Sequence, residues 1–183
     1  MPPGSLTWAD IIHGDIKPQN VLVFKDATGK TTIKVADFGC STLAAGEAGK
    51  VLLPKSRPWN APEHHVGEFG LPAAKKADVY SFGMLCLWVL FVDSFRDIPQ
   101  TTTEGATELI SFDAPLRSRT LLEQLKDEDK LEDIANQLME SILSLSTEHK
   151  GRIGQLFSLT VQLDPEKRAS DFEQLVFLLS QDR

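Results

Sequence analysis

Apolar residues follow two rhythms along this chain. Val21-Leu22-Val23-Phe24 and Ile33-Lys34-Val35-Ala36 are short runs rich in β-branched residues. Between them lies the turn-forming stretch Lys25-Asp26-Ala27-Thr28-Gly29-Lys30. Together they predict one β-hairpin with a longer loop over residues 21–36. Residues 40–58 hold Gly46, Gly49, Pro54 and Pro58 without a period, which predicts loop. From Asp78 the pattern turns helical. Phe82 to Val92 is apolar on every side, so residues 82–91 are expected to be the most buried segment.

Residues 93–119 are less regular. Leu131, Ile134, Leu138, Ile142 and Leu145 then recur at three- and four-residue steps and predict one helical stripe. Ile153, Leu156, Phe157, Leu159, Val161 and Leu163 predict another helix, stopped by Asp164-Pro165. Ser170-Asp171-Phe172-Glu173 reads as a capping box, with Phe172, Leu175, Val176 and Leu179 as the inner stripe of a last helix. The order of one hairpin, a loop and then helices predicts a mainly α fold. There is no internal repeat.

Composition narrows the class. The 183 residues are 42% apolar and 25% charged, as in one soluble globular domain. That excludes a disordered chain or a collagen-like rod. Two cysteines, Cys40 and Cys86, cannot build a disulfide framework and point to a reducing compartment. No apolar run is long enough to span a bilayer, and Met-Pro-Pro-Gly-Ser lacks the features of a signal peptide, so a cytoplasmic location is expected. The net charge of −7 comes entirely from residues 101–183, which carry nine Lys/Arg and sixteen Asp/Glu. Such a chain is not built for non-specific nucleic-acid binding. Asp127, Glu128, Asp129, Glu132 and Asp133 read as a solvated face and the first turn of a helix rather than a partner surface.

The chemistry lies at the two ends of the hairpin. His13-Gly14-Asp15-Ile16-Lys17-Pro18-Gln19-Asn20 precedes it and Asp37-Phe38-Gly39 follows it. A hairpin returns its chain to its start, so the two groups should face one another. Two carboxylates, an amide and a lysine then surround one small volume, a set suited to phosphoryl transfer with Mg²⁺. Asp and Asn also favour turns and caps. Cys40 beside Asp37-Phe38-Gly39 is read as a small core residue, with a reactive thiol as the alternative.

In order, these motifs resemble the eukaryotic protein kinase family. Residues 13–20 look like its catalytic loop, residues 37–39 like its metal-binding motif, and Ala61-Pro62-Glu63 like the end of its activation segment. Asp78-Val79-Tyr80-Ser81-Phe82-Gly83 looks like the start of its buried central helix. The resemblance implies a kinase-like C-terminal lobe over residues 1–183, a partial kinase domain using ATP and Mg²⁺. It implies Asp15 as catalytic base, Lys17 on the transferred phosphate, and Asn20 and Asp37 as metal ligands. Leu22 would lie under the adenine, and Ser56 would line the substrate loop. His13 and Phe38 would stack in a column leading to Asp78, and Arg168 would pair with Glu63. Lys17-Pro18 is similar to Ser/Thr-specific members.

The sequence departs from the family in three places. Gly14 stands where most kinases carry arginine, so switching through a phosphorylated loop is not expected. An insertion is expected near residues 93–130. No Gly-rich loop, strand lysine or partner glutamate of an N-terminal lobe occurs in these residues. Three functions stay open: a Ser/Thr kinase acting on protein, whose N-terminal lobe comes from elsewhere; a non-catalytic kinase-like scaffold or gene-model fragment; and a small-molecule phosphotransferase, which Gly14 fits. The isolated chain is expected to be inactive. A partner chain is expected to supply or cover the face of the missing lobe.

Overall fold

The computed structural model describes residues 11–43, 49–91 and 114–180. Strands β2 (Val21–Lys25) and β3 (Thr31–Val35) form the expected hairpin, in register from Val21 opposite Val35 to Lys25 opposite Thr31. The Asp26 carboxylate closes its loop by accepting the Thr28 and Lys30 amides at 2.8 and 3.0 Å. Two further antiparallel pairs correct the single-hairpin expectation. β1 (Ile11–Ile12) pairs with β4 (Thr42–Leu43), and β5 (Lys50–Leu52) pairs with β6 (Glu68–Gly70). Strands of two or three residues are too short to show a period, so β4 and β5 were hidden inside an apparent loop.

Helix α1 (Leu71–Phe91) starts seven residues before Asp78. Gly70 ends the strand before it, and Pro72 suits a first helical turn, where no amide partner is needed. Asp78, Val79, Tyr80 and Ser81 are all buried, as are Met84, Leu85 and Leu87. Val89 and Leu90 are exposed at 65% and 45%, so the most buried stretch lies earlier than residues 82–91. α1 packs on both sides. Tyr80, Met84, Leu87 and Phe91 join Trp59, Leu122, Leu131 and Phe157 in the main core. Val79 faces a second cluster with Leu156, Ala169 and Leu175. Each fully buried side chain of this kind contributes roughly 1.5–3 kcal/mol. Gly83 allows the closest approach, since a Cβ there would overlap the Thr160 side chain.

Helix α2 (Ala114–Asp127) lies within the expected insertion, and residues 92–113 lie outside the described residues. Helix α3 (Leu131–Ser141) buries Leu131, Ala135 and Met139, a stripe rotated from the one its leucines suggest. Helix α4 (Thr147–Ser158) ends before Leu159, so Val161 and Leu163 fall beyond it. Helix α5 (Phe172–Leu179) is capped by Asp171, one residue later than the Ser170 box, through the Glu173 and Gln174 amides. Leu175 is buried there, but Val176 and Leu179 are exposed. Among the described residues no helix is long and apolar enough to cross a membrane.

Candidate active site

Two local features aim the loop that follows β1. Gly14 adopts φ +81°, and the turn Pro18–Asn20 begins with a proline that presets its backbone. Asp78 of α1 holds the loop from below, accepting the His13 amide at 2.6 Å and the Gly14 amide at 2.9 Å. Burial pushes the Asp78 carboxyl up to about 6, and those two amides oppose the rise.

Above this anchor the polar side chains converge. Lys17 Nζ donates to Asp15 Oδ2 at 2.6 Å and to Ser56 Oγ at 3.2 Å. Asn20 Nδ2 donates to the Asp15 carbonyl at 2.8 Å and to Asp15 Oδ2 at 3.3 Å. Burial raises the Asp15 pKa, but hydrogen bonds from Lys17, Ser56 and Asn20 outweigh it and hold the carboxyl below its ordinary value. Asp15 Oδ1 is buried and has no hydrogen-bond partner among the described residues.

The hairpin returns Asp37 to this loop. The Ala36 amide donates to the Asn20 carbonyl at 2.8 Å, and His13 Nε2 lies 3.0 Å from the Ala36 carbonyl. The Phe38 ring sits 5.1 Å from the His13 ring, and Ser41 Oγ donates to the His13 carbonyl at 3.1 Å. Asp37 itself adopts φ 64° and exposes its carboxylate, which among the described residues accepts the Gly39 amide at 3.3 Å. Leu22, Val23, Phe24, Ile33, Val35 and Phe38 are all exposed. Cys40 is exposed too, which corrects its reading as a core residue.

At the other end of the segment, Arg168 grips Glu63 with both terminal nitrogens, at 2.6 and 2.8 Å. It also donates to the carbonyls of Gln162, Lys76 and Leu163, and its guanidinium lies 4.7 Å from the Tyr80 ring centre. With every donor engaged, this fork does what a lysine cannot. His64 and His65 lie in the short 3₁₀ helix Pro62–Val66, where His64 is buried and His65 is exposed.

A catalytic-type loop anchored by a buried helix aspartate, a metal-type aspartate returned by a hairpin, and a Glu63–Arg168 lock thus occur in one framework. The sequence model for the protein kinase domain matches residues 6–175. The chain belongs to the protein kinase family. It is 44% identical over 79 residues to the G-type lectin S-receptor-like serine/threonine-protein kinase SD2-2 of Arabidopsis thaliana, covering 42% of this chain and 9% of that protein. It is 40% identical over 90 residues to mitogen-activated protein kinase kinase kinase 13-B of Xenopus laevis, covering 48% and 8%. It is 31% identical over 119 residues to PTI1-like tyrosine-protein kinase 2 of Arabidopsis thaliana, covering 64% and 30%. The chain spans less than a third of the length of each of these kinases. One buried cation beside the Ser56 loop carried no sequence signal. Lys126 sits beside an acidic run and reads as solvated, yet it is buried under the Ser56–Asn60 segment.

Proposed function

We propose that this chain carries the phosphoryl-transfer chemistry of a Ser/Thr protein kinase, in a lobe that needs a second body over its hairpin. The observation that carries the reading is the Lys17 ammonium bridging Asp15 and Ser56, with Asn20 on the same carboxylate. Lys17-Pro18 and the similarity to the serine/threonine-protein kinase SD2-2 favour Ser/Thr as acceptor.

The donor set fits Mg²⁺. Asn20 turns its amide NH₂ to Asp15, which leaves its carbonyl oxygen for a cation. Asp37 presents an exposed carboxylate. Mg²⁺ takes hard oxygen ligands and draws most of them from water and phosphate, so two protein ligands suffice. When bound, Mg²⁺·ATP supplies the phosphoryl group and neutralises its charge. Asp15, held ionised by its hydrogen bonds, orients the protein hydroxyl and accepts its proton. Lys17 steadies negative charge on the transferred group. Ser56 lines the loop where the protein substrate lies, and Leu22 forms the floor of the adenine site. His13, Phe38, Glu63, Asp78 and Arg168 hold these groups in place.

The exposed hairpin supports the second half of the reading. An isolated two-stranded hairpin is marginal in water, yet this one leaves Val23 and Ile33 63% and 66% exposed. A lobe or partner chain that covers it would also supply the missing grip on the α- and β-phosphates. The same face favours a second reading, a kinase-like scaffold without catalysis. Mn²⁺, a paramagnetic stand-in for Mg²⁺, separates the two when added with ATP to the isotope-labelled chain. Selective broadening of the Asn20 and Asp37 amides, lost in Asp37→Ala, is expected of the enzyme. No selective broadening favours the scaffold.

A further inference from the structure

Helix α2 has no place in any motif read above, yet it governs the segment that carries Ser56. Leu121, Leu122 and Leu125 fix it in the main core. Glu123 Oε1 accepts Arg57 Nη1 at 2.7 Å at the rim. Lys126, only 6% exposed, turns inward. Its Nζ donates to the Pro58 carbonyl at 3.2 Å and to the Asn60 carbonyl, and lies 5.6 Å from the Tyr80 ring centre. An ammonium has three N–H donors and no acceptor. Two carbonyls and an aromatic face replace its water here. Since a buried ammonium without partners is very costly, α2 and the loop can dock only with these carbonyls in place.

The loop so held is a tight turn, closed by the Asn60 amide on the Ser56 carbonyl at 3.0 Å. It begins at Ser56, whose hydroxyl receives Lys17, which in turn holds Asp15. We infer that Lys126 is a positioning residue that clamps the Ser56–Asn60 turn from α2 and so sets the Ser56 hydroxyl beside Lys17 and Asp15. The roles of Ser56 and Asp15 rest on the kinase reading; the clamp does not.

Burial lowers the Lys126 pKa to about 8, against the pull of Asp127, Glu123 and Glu63 and with the help of Arg57. His64, Tyr80 and Arg168 complete its surroundings. Carboxylates and guanidiniums ordinarily keep their charge between pH 7 and 9. Burial keeps His64 neutral there and pushes the Tyr80 phenol up. Lys126 is therefore the member of this group whose charge changes in that interval.

Hydrogen exchange of the whole chain, read by mass spectrometry, tests the clamp without any turnover. In Lys126→Met, peptides over residues 55–61 should exchange about tenfold or more faster, while peptides from α4 keep their rates. Lys126→Arg, which keeps charge and donors, should restore most of the protection. In the unmodified chain, protection of residues 55–61 should fall between pH 7 and 9 with a midpoint near 8. Unchanged exchange in Lys126→Met, equal loosening of α4, or no rescue by arginine would each overturn the inference. Should Lys126→Met not fold, Lys126→Leu decides, and protection over residues 55–61 equal to that of the unmodified chain refutes the clamp. Phosphotransfer is measured separately, so a failed clamp and a failed kinase reading stay distinguishable.

Discussion

The Asp78 carboxylate and the His13 amide, 65 residues apart in sequence, meet at 2.6 Å. Asp78 is buried, and its other oxygen takes the Gly14 amide. Removing this carboxylate strands two amides, each costing roughly 1–3 kcal/mol when unsatisfied and out of reach of water. Among the described residues, the Asp15 carboxylate accepts side-chain donors, from Lys17 and Asn20, and no backbone amide. Asp78→Ala should therefore lower the melting temperature more than Asp15→Ala. Thermal melts in the reverse order would show that Asp78 is not the anchor.

The same carboxylate makes stability depend on pH. Its pKa is raised from 3.8 to about 6 by burial, so the folded chain keeps a proton that the unfolded chain releases. The stabilising contribution of this group is full below pH 3.8 and is lost as pH rises through about 6. The gap is worth on the order of 3 kcal/mol. Urea midpoints of the unmodified chain, taken relative to Asp78→Asn, should thus decline between pH 4 and 7. A flat or rising difference would mean that the two amides keep Asp78 ionised throughout.

Gly14 yields a prediction about the residue that most kinases carry there. Its φ of +81° suits glycine, and a Cβ would lie 3.0 Å from the Cys40 carbonyl oxygen and 3.1 Å from Leu53 Cδ2. A left-handed conformation costs an L-residue about 1–2 kcal/mol. Gly14→Ala and Gly14→Arg should both lower the denaturation midpoint, with arginine no better than alanine. A gain in stability with arginine would show that the loop adapts.

The parts of this site that lie in contiguous motifs were legible from sequence alone. Asp15, Lys17 and Asn20 share one loop, Asp37 and Phe38 share another, and the hairpin between them explains why they meet. The Asp78 anchor was legible only through the resemblance, which led the His13–Phe38 column to it; the residue lies seven positions inside α1 and not at its start. Lys126 was not legible, because its partners are backbone carbonyls of a loop 66 residues away, and no side-chain pattern records those. β4 and β5 were too short to show alternation. Val89, Leu90, Val176 and Leu179 show the converse limit. Apolar character marks a residue that is able to be buried, and it does not tell whether a neighbouring element reaches it.

The proposed function gives these 183 residues the chemistry of a kinase but not the grip on its nucleotide. The α- and β-phosphates have no Gly-rich loop and no strand lysine here. Losing two or three charge-assisted contacts of about 1.5–3 kcal/mol each costs roughly 10²–10⁶ in binding or rate. The direct measurement is transfer of radiolabelled γ-phosphate from ATP·Mg²⁺ to a generic protein substrate by the purified chain alone. The account predicts no transfer above background. Transfer by the monomer that is abolished in Asp15→Asn and in Asp37→Ala would contradict it, and would mean that the lobe works without a cover.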